Sequence, residues 1–70
     1  MRVQFSDIFE VDLNGTVRPL TPVHIGAMTI GRGETLSRGT LVGGMDIAAM
    51  IGHDLEIETA PTGIVLITIY

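Results

Sequence analysis

The last eight residues are the most apolar stretch of the chain, and they limit its fold more than any other segment. Residues 63–70 are rich in β-branched side chains and are long enough for one β-strand. Because successive side chains of a strand point to opposite sides, the apolar residues fall on two faces: Ile64 and Leu66 on one, and Val65, Ile67 and Ile69 on the other. Neither face suits water. We therefore expect the strand to lie at the centre of the fold, or to be covered on its second face by another subunit.

A chain of 70 residues supports one small β-rich domain, spanning residues 1–70. Domains of this size bury only about 60% of the surface that the unfolded chain exposes, so they commonly need disulfides, a metal ion or oligomerisation. The sequence has no cysteine and only two histidines, which excludes disulfides and disfavours a structural metal site. We therefore expect a homo-oligomer, with a dimer as the default symmetry.

The charge balance limits the partners of the chain. Its net charge is −4, from eight acidic residues against four arginines and no lysine. Such a surface repels phosphates, so we expect no nucleic-acid partner. No apolar run approaches the ~20 residues that cross a bilayer, and the first residues lack the apolar run of a signal peptide. We expect no membrane partner and a cytoplasmic location.

Residues 3–13 alternate between apolar and polar side chains and predict one half-buried strand, with a bulge or bend where the alternation breaks at Asp7–Ile8. The dipeptide Asn14–Gly15 follows, and it is typical of a two-residue hairpin turn. The return strand begins at Thr16. Two prolines at positions 19 and 22 indicate an edge strand or a connector, with pairing resumed at 23–25.

The second half of the sequence predicts a glycine-rich β segment, a short helix and a hairpin. Six glycines between positions 26 and 44 favour a twisted, bulged β segment with tight turns. Residues 44–52 predict a helix of at most two turns, with Asp46 as its cap and Gly52 as its stop. Residues 54–59 alternate and pair with the C-terminal strand. The predicted fold class is mainly β, or small α+β, with two β-hairpins around the glycine-rich segment in a compact barrel-like or sandwich shape.

The stretch 31–40 is the best candidate for a binding site. Its glycines allow the backbone to approach a ligand closely, and successive amides can form an anion nest. Two arginines and three hydroxyl groups add donors for a phosphate or carboxylate. The predicted ligand-binding residues are Gly31, Arg32, Gly33, Thr35, Ser37, Arg38 and Gly39. In the alternative interpretation this stretch is a solvated loop whose arginines pair with Glu34 or with a neighbouring subunit.

The two histidines, His24 and His53, are weak candidates for catalysis or metal binding. No third ligand stands at a characteristic spacing from them, and no nucleophile lies in a recognisable motif. His24 is expected on the exposed side of its strand, and His53 at the end of the short helix. We expect no metal, no cofactor and no catalytic residues.

These features favour a non-catalytic binding module. We expect a small homo-oligomeric accessory protein, of the kind that phages or mobile elements encode, which binds a partner protein or a small anionic ligand near the glycine and arginine loop. Two alternatives stay open. One is a small enzyme whose active site forms between subunits and uses His24 or His53. The other is a structural subunit of a larger assembly.

Overall fold

A computed structural model describes all 70 residues of the chain. The strands are β1 (Arg2–Gln4), β2 (Phe9–Val11), β3 (Val17–Pro19), β4 (Val23–Ile25), β5 (Met28–Ile30), β6 (Leu41–Val42), β7 (Met45–Asp46), β8 (Asp54–Ala60) and β9 (Gly63–Ile69). A single helical turn, α1 (Phe5–Ile8), lies between β1 and β2, and a 3₁₀ helix (Ile47–Met50) lies between β7 and β8. The predicted class, mainly β with a short helix, is confirmed.

The main sheet has five strands in the order β1-β8-β9-β4-β5. The C-terminal strand β9 is its middle strand, which is the first of the two arrangements that its apolar sequence predicted. It pairs antiparallel with β8 through a tight turn at residues 61–62. On its other side it pairs parallel with β4, where Val23 lies opposite Ile64. The two remaining sheets are the hairpins β2–β3 and β6–β7.

A β-bulge changes which residues of β9 face the core. Leu66 lies opposite Ile57, but the next pairs along the strand are Thr68 with Glu56 and Ile69 with Leu55, which leaves Ile67 as the extra residue. Ile69 therefore packs against the core beside Leu66, so the expected grouping of Ile69 with Ile67 is wrong. Val65 is half-buried and Ile67 is 50% exposed on the outer side.

The strand predicted over residues 3–13 is interrupted, and the break includes Asp7–Ile8 as predicted, but it is a helical turn rather than a bulge or bend. Phe5, Ile8 and Phe9 lie three and four residues apart, which is the spacing of one face of a helix, and all three are buried. The rings of Phe5 and Phe9 stack with their centroids 4.7 Å apart. The Asp7 carboxylate accepts a hydrogen bond from the Gln4 amide at 3.0 Å and closes the turn. Aromatic packing therefore outweighs the alternating pattern.

The hairpin β2–β3 has a three-residue loop rather than the predicted two-residue turn. The Asp12 amide donates to the Thr16 carbonyl, and the Gly15 amide donates back to the Asp12 carbonyl at 3.0 Å. Gly15 has a φ of 84°, whereas Asn14 keeps a negative φ. The two-residue type I′ turn needs a positive φ at both central residues, so a turn with a single left-handed glycine replaces it.

The predicted helix over 44–52 is reduced to the 3₁₀ helix of four residues. The chain before it forms the small hairpin β6–β7, in which Val42 pairs with Met45. Asp46 precedes the helix but makes no capping hydrogen bond. Its Oδ2 atom instead accepts the Gly39 amide at 2.8 Å. Gly52 has the left-handed φ expected of a stop residue, 90°.

One hydrophobic cluster joins the sheet to the hairpins. It consists of Phe5, Ile8, Phe9, Val17, Val23, Ile25, Ile30, Leu36, Val42, Ile47, Ala48, Leu55, Ile57, Ile64 and Leu66. The core contains no buried polar or charged residue. Leu55 and Ile57 point inward while Glu58 is exposed, as the alternation in β8 predicted. No helix is long and apolar enough to span a bilayer.

Candidate functional site

Two of the four arginines have no partner within the chain. Arg2 binds the Asp54 carboxylate at 2.9 Å. Arg18 donates to both oxygens of Asp12, at 2.6 and 2.8 Å, and to Glu10 at 2.8 Å. Arg32 and Arg38 form no ion pair and no side-chain hydrogen bond, and neither pairs with Glu34. These two guanidinium groups are the unpaired side-chain cations of an acidic protein.

Arg38 lies on the wall of the one cleft in the structure, which has a volume of about 530 Å³ and opens to solvent. Eight residues from three separate segments line it: Asn14, Gly15, Thr16, Ser37, Arg38, Ala48, Ala49 and Ile51. Of the predicted ligand-binding residues, Ser37 and Arg38 therefore lie in the cleft. The other five, Gly31, Arg32, Gly33, Thr35 and Gly39, do not line it.

An isolated β-bridge places Ser37 and Arg38 beside the first hairpin. Val17 and Leu36 exchange both backbone hydrogen bonds, at 3.0 and 2.8 Å, and run antiparallel. Both side chains are buried, which fixes the bridge in the core. Antiparallel pairing at this point brings Ser37 next to Thr16. The pairing of Val17 with Leu36 therefore positions two walls of the cleft, residues 14–16 and residues 37–38.

The third wall is the 3₁₀ helix, and Asp46 ties it to the loop. The carboxylate of Asp46 accepts a hydrogen bond from the amide of Gly39, which is the residue that follows Arg38. Asp46 also directly precedes the helix. Ala48 is buried in the core. Ala49 and Ile51 are turned toward the cleft with their side chains partly or largely accessible. The helix therefore contributes the apolar part of a cleft that Arg38 also lines.

Several polar side chains of the cleft have free donors. Asn14 uses its Oδ1 atom to accept the Thr16 amide at 3.2 Å and the Thr16 hydroxyl at 2.8 Å, which leaves its Nδ2 group free. Neither the Ser37 hydroxyl nor the Arg38 guanidinium has a hydrogen bond. The Asp12 carboxylate lies within 3.1 Å of the Thr16 hydroxyl. Arg18 hydrogen bonds to this carboxyl and holds the pKa of Asp12 below its usual range.

Several backbone amides of the 31–40 loop already have acceptors within the chain. The amides of Gly33, Glu34, Leu36 and Thr40 donate to backbone carbonyls, and the Gly39 amide donates to Asp46. An anion nest needs amides that are free to converge on a ligand. An anion bound at this loop would therefore be held by the arginine and hydroxyl side chains, together with the amides of Ser37 and Arg38, which have no acceptor within the chain.

Both histidines lie outside the cleft and are engaged in hydrogen bonds. His24 is within 2.9 Å of the Thr29 hydroxyl through Nδ1 and of the Thr62 hydroxyl through Nε2. His53 contacts the main-chain oxygen of Tyr70 through Nδ1. No group of three or more His, Asp or Glu residues converges in a way that could hold a metal ion.

A second polar cluster joins β1 to the end of β9. Glu56 accepts hydrogen bonds from the amino group of Met1 and from the Tyr70 hydroxyl, the latter at 2.8 Å. The amino group and the hydroxyl both lower the pKa of Glu56. The same carboxylate raises the pKa of Tyr70. The Arg2 guanidinium lies 4.0 Å from the centre of the Tyr70 ring. These groups satisfy one another, so the cluster holds strands together and offers no free group.

The chain gives no match to known protein families, to curated proteins or to solved structures. The cleft therefore has to be interpreted from its own residues. Sequence reasoning found Ser37 and Arg38 because of their hydroxyl and charge. It assigned Asn14 only to a turn and Ala48 only to a helix, since no local pattern shows that a bridge between positions 17 and 36 brings these segments together.

Proposed function

We propose that this protein is a non-catalytic binding module that holds a small anionic ligand in the cleft at Arg38. The observation that supports the proposal is an arginine without a partner on the wall of a cleft, in a chain whose net charge is −4. A guanidinium can donate two parallel hydrogen bonds to a carboxylate or phosphate. The Ser37 hydroxyl and the Asn14 amide stand beside it as further donors.

The composition of the cleft favours binding over chemistry. Its lining residues include no histidine, cysteine, aspartate or glutamate. General acid–base catalysis needs such a group within hydrogen-bond reach of the reacting atom. Ser37 and Thr16 are the two hydroxyl side chains present. Ser37 has no hydrogen bond to a base that could activate it, and the Asp12 carboxylate beside the Thr16 hydroxyl is held in an ion pair by Arg18. Binding of an anion requires none of these groups.

A pair of arginine variants tests the proposal. The protein labelled with ¹⁵N is titrated with sodium acetate and with sodium phosphate at constant ionic strength, and amide shifts are followed by NMR. We expect shifts to concentrate at residues 14–16, 37–38 and 48–51. Loss of a charged hydrogen bond costs about 1.5–3 kcal/mol, so Arg38→Ala should weaken binding roughly tenfold or more. Arg32→Ala removes an equally unpaired charge outside the cleft and should change the affinity less than about twofold.

Two results would contradict this site. Equal losses in both variants would place the anion on the arginine loop as a whole rather than in the cleft. Unchanged binding in Arg38→Ala, with a fold confirmed by the NMR spectrum, would remove Arg38 from the site altogether.

We also propose that the chain self-associates. Nine large apolar side chains are substantially exposed: Met1, Val11, Leu13, Leu20, Met28, Leu41, Ile51, Ile67 and Tyr70. Scattered apolar residues are normal on a protein surface, but one of the nine, Ile67, lies on β9, the middle strand of the main sheet, and points to the outer face of that sheet. A second copy of the chain is the partner that would cover this face.

A further inference from the structure

The two sides of the cleft differ in chemistry. Its free donors, which are on Asn14, Ser37 and Arg38, come from the hairpin loop and the arginine loop. The other side, formed by the 3₁₀ helix and the residue after it, consists of Ala48, Ala49 and Ile51. A bare inorganic anion would use the first side and leave the second in water. The apolar side needs a ligand that also has an apolar part.

The charges near the cleft favour a ligand with a single negative charge. Arg38 is its only cation, and the Asp12 carboxylate lies one hydrogen bond away, beyond Thr16. A phosphate carries up to two negative charges at neutral pH, and a lone guanidinium neutralises only one of them. Five amides of the loop, including that of Gly39 next to Arg38, are already used and supply no further positive potential. A carboxylate matches one guanidinium in both charge and shape.

The apolar side has space for a short hydrocarbon or ring. Alanine side chains at 48 and 49 leave the cleft open above them. Ile51 is 40% exposed and does not belong to the core cluster, so its side chain is available for contact. The cleft volume, about 530 Å³, lies within the range of roughly 300–1,000 Å³ that small-molecule sites occupy.

We infer that the ligand of this cleft is a monocarboxylate with an apolar body, bound through its carboxylate to Arg38 and through its body to the wall at Ala49 and Ile51. The inference rests on the proposed function, because it names the class of anion that the same site takes. It adds a second contact surface that a simple anion site would lack.

A chain-length series tests this inference. Acetate, butyrate and hexanoate are titrated as sodium salts at constant ionic strength, and inorganic phosphate is the reference anion. Each buried methylene contributes about 0.8 kcal/mol, so the affinity should rise by about three- to fourfold per methylene until the wall is covered. Hexanoate should bind more tightly than phosphate.

Two variants separate the contacts. Ile51→Ser should flatten the dependence on chain length, so that hexanoate loses more affinity than acetate. Arg38→Ala should weaken every carboxylate by a similar factor. Ala49→Leu fills the cleft from the same wall and should reduce hexanoate binding more than acetate binding, which provides a second test if Ile51→Ser is unstable.

The outcomes distinguish the inference from the function on which it rests. Binding that depends on Arg38 but is equal for acetate and hexanoate would overturn the inference and leave the anion site in place. Phosphate binding more tightly than hexanoate would do the same. Absence of any binding that depends on Arg38 would overturn the proposed function itself, and with it the inference.

Discussion

Gly63 begins the central strand in a backbone conformation that only glycine adopts easily. Its φ is 140°, and a Cβ atom at this position would lie 2.1 Å from the Pro22 carbonyl oxygen. That carbonyl accepts the Ile64 amide at 2.9 Å and starts the parallel pairing of β4 with β9. Gly63→Ala should therefore lower the free energy of unfolding by at least about 2 kcal/mol, measured by chemical denaturation.

Gly26 provides the matched control for Gly63. It also has a positive φ, 58°, but a Cβ there would meet no atom within 4 Å. Gly26→Ala should show only the conformational cost of a left-handed residue, about 1–2 kcal/mol. Equal losses in the two variants would mean that the close approach of Pro22 adds nothing.

Asp12 links stability to pH through its contact with Arg18. The hydrogen bond from Arg18 keeps the pKa of Asp12 below its ordinary value. A carboxylate with a lowered pKa stabilises the fold at pH values above its unfolded pKa, near 3.9, and loses this effect as the pH falls through the folded pKa. Asp12→Asn should therefore lower the denaturation midpoint at pH 7, and the difference from wild type should shrink below about pH 4.

The control for Asp12 is Glu58, an exposed carboxylate without an ion pair. Glu58→Gln should leave the midpoint nearly unchanged at both pH values. A difference between wild type and Asp12→Asn that persists at pH 2 would show that shape rather than charge is responsible.

Elements of the fold differ in how far the sequence predicts them. The β8–β9 hairpin was predictable because two long strands with clear patterns flank Pro61 and Thr62, so local signals and tertiary packing agree. The turn α1 was missed because Phe5 and Phe9 fit both a strand and a helical face. Packing of the two rings in the core decides between them, and that contact forms only in the tertiary structure.

The helical turn α1 depends on a side-chain cap. Asp7→Ala removes the acceptor of the Gln4 amide and should destabilise the fold by about 1 kcal/mol, measured by urea denaturation. Ser6→Ala is the control, because Ser6 is an exposed neighbour in the same turn without a capping contact. A larger effect at Ser6 than at Asp7 would contradict the role of the carboxylate.

At the scale of the whole molecule, the core lies on one side of the five-stranded sheet. On the other side, the polar residues His24 and Glu58 of the two neighbouring strands flank Val65 by register. Near its middle, Val65 is half-buried and Ile67 half-exposed. The central position of β9 provides hydrogen-bond partners for its backbone on both sides, but it leaves the outer side chain of Ile67 uncovered. The apolar pattern that located the strand correctly therefore also predicts contact with a second copy.

Self-association through this face can be tested by sedimentation equilibrium over a range of protein concentrations. We expect wild type to form a discrete oligomer, and Ile67→Thr to raise its dissociation constant at least tenfold, because a central apolar anchor carries much of an interface. Threonine keeps the β-branched shape, so the fold should persist. Leu13→Thr is the control, since Leu13 is fully exposed at a hairpin tip away from the sheet. A monomeric wild type would contradict self-association. If both variants weakened self-association equally, the contact would have to involve the hairpin rather than the sheet face at Ile67 alone.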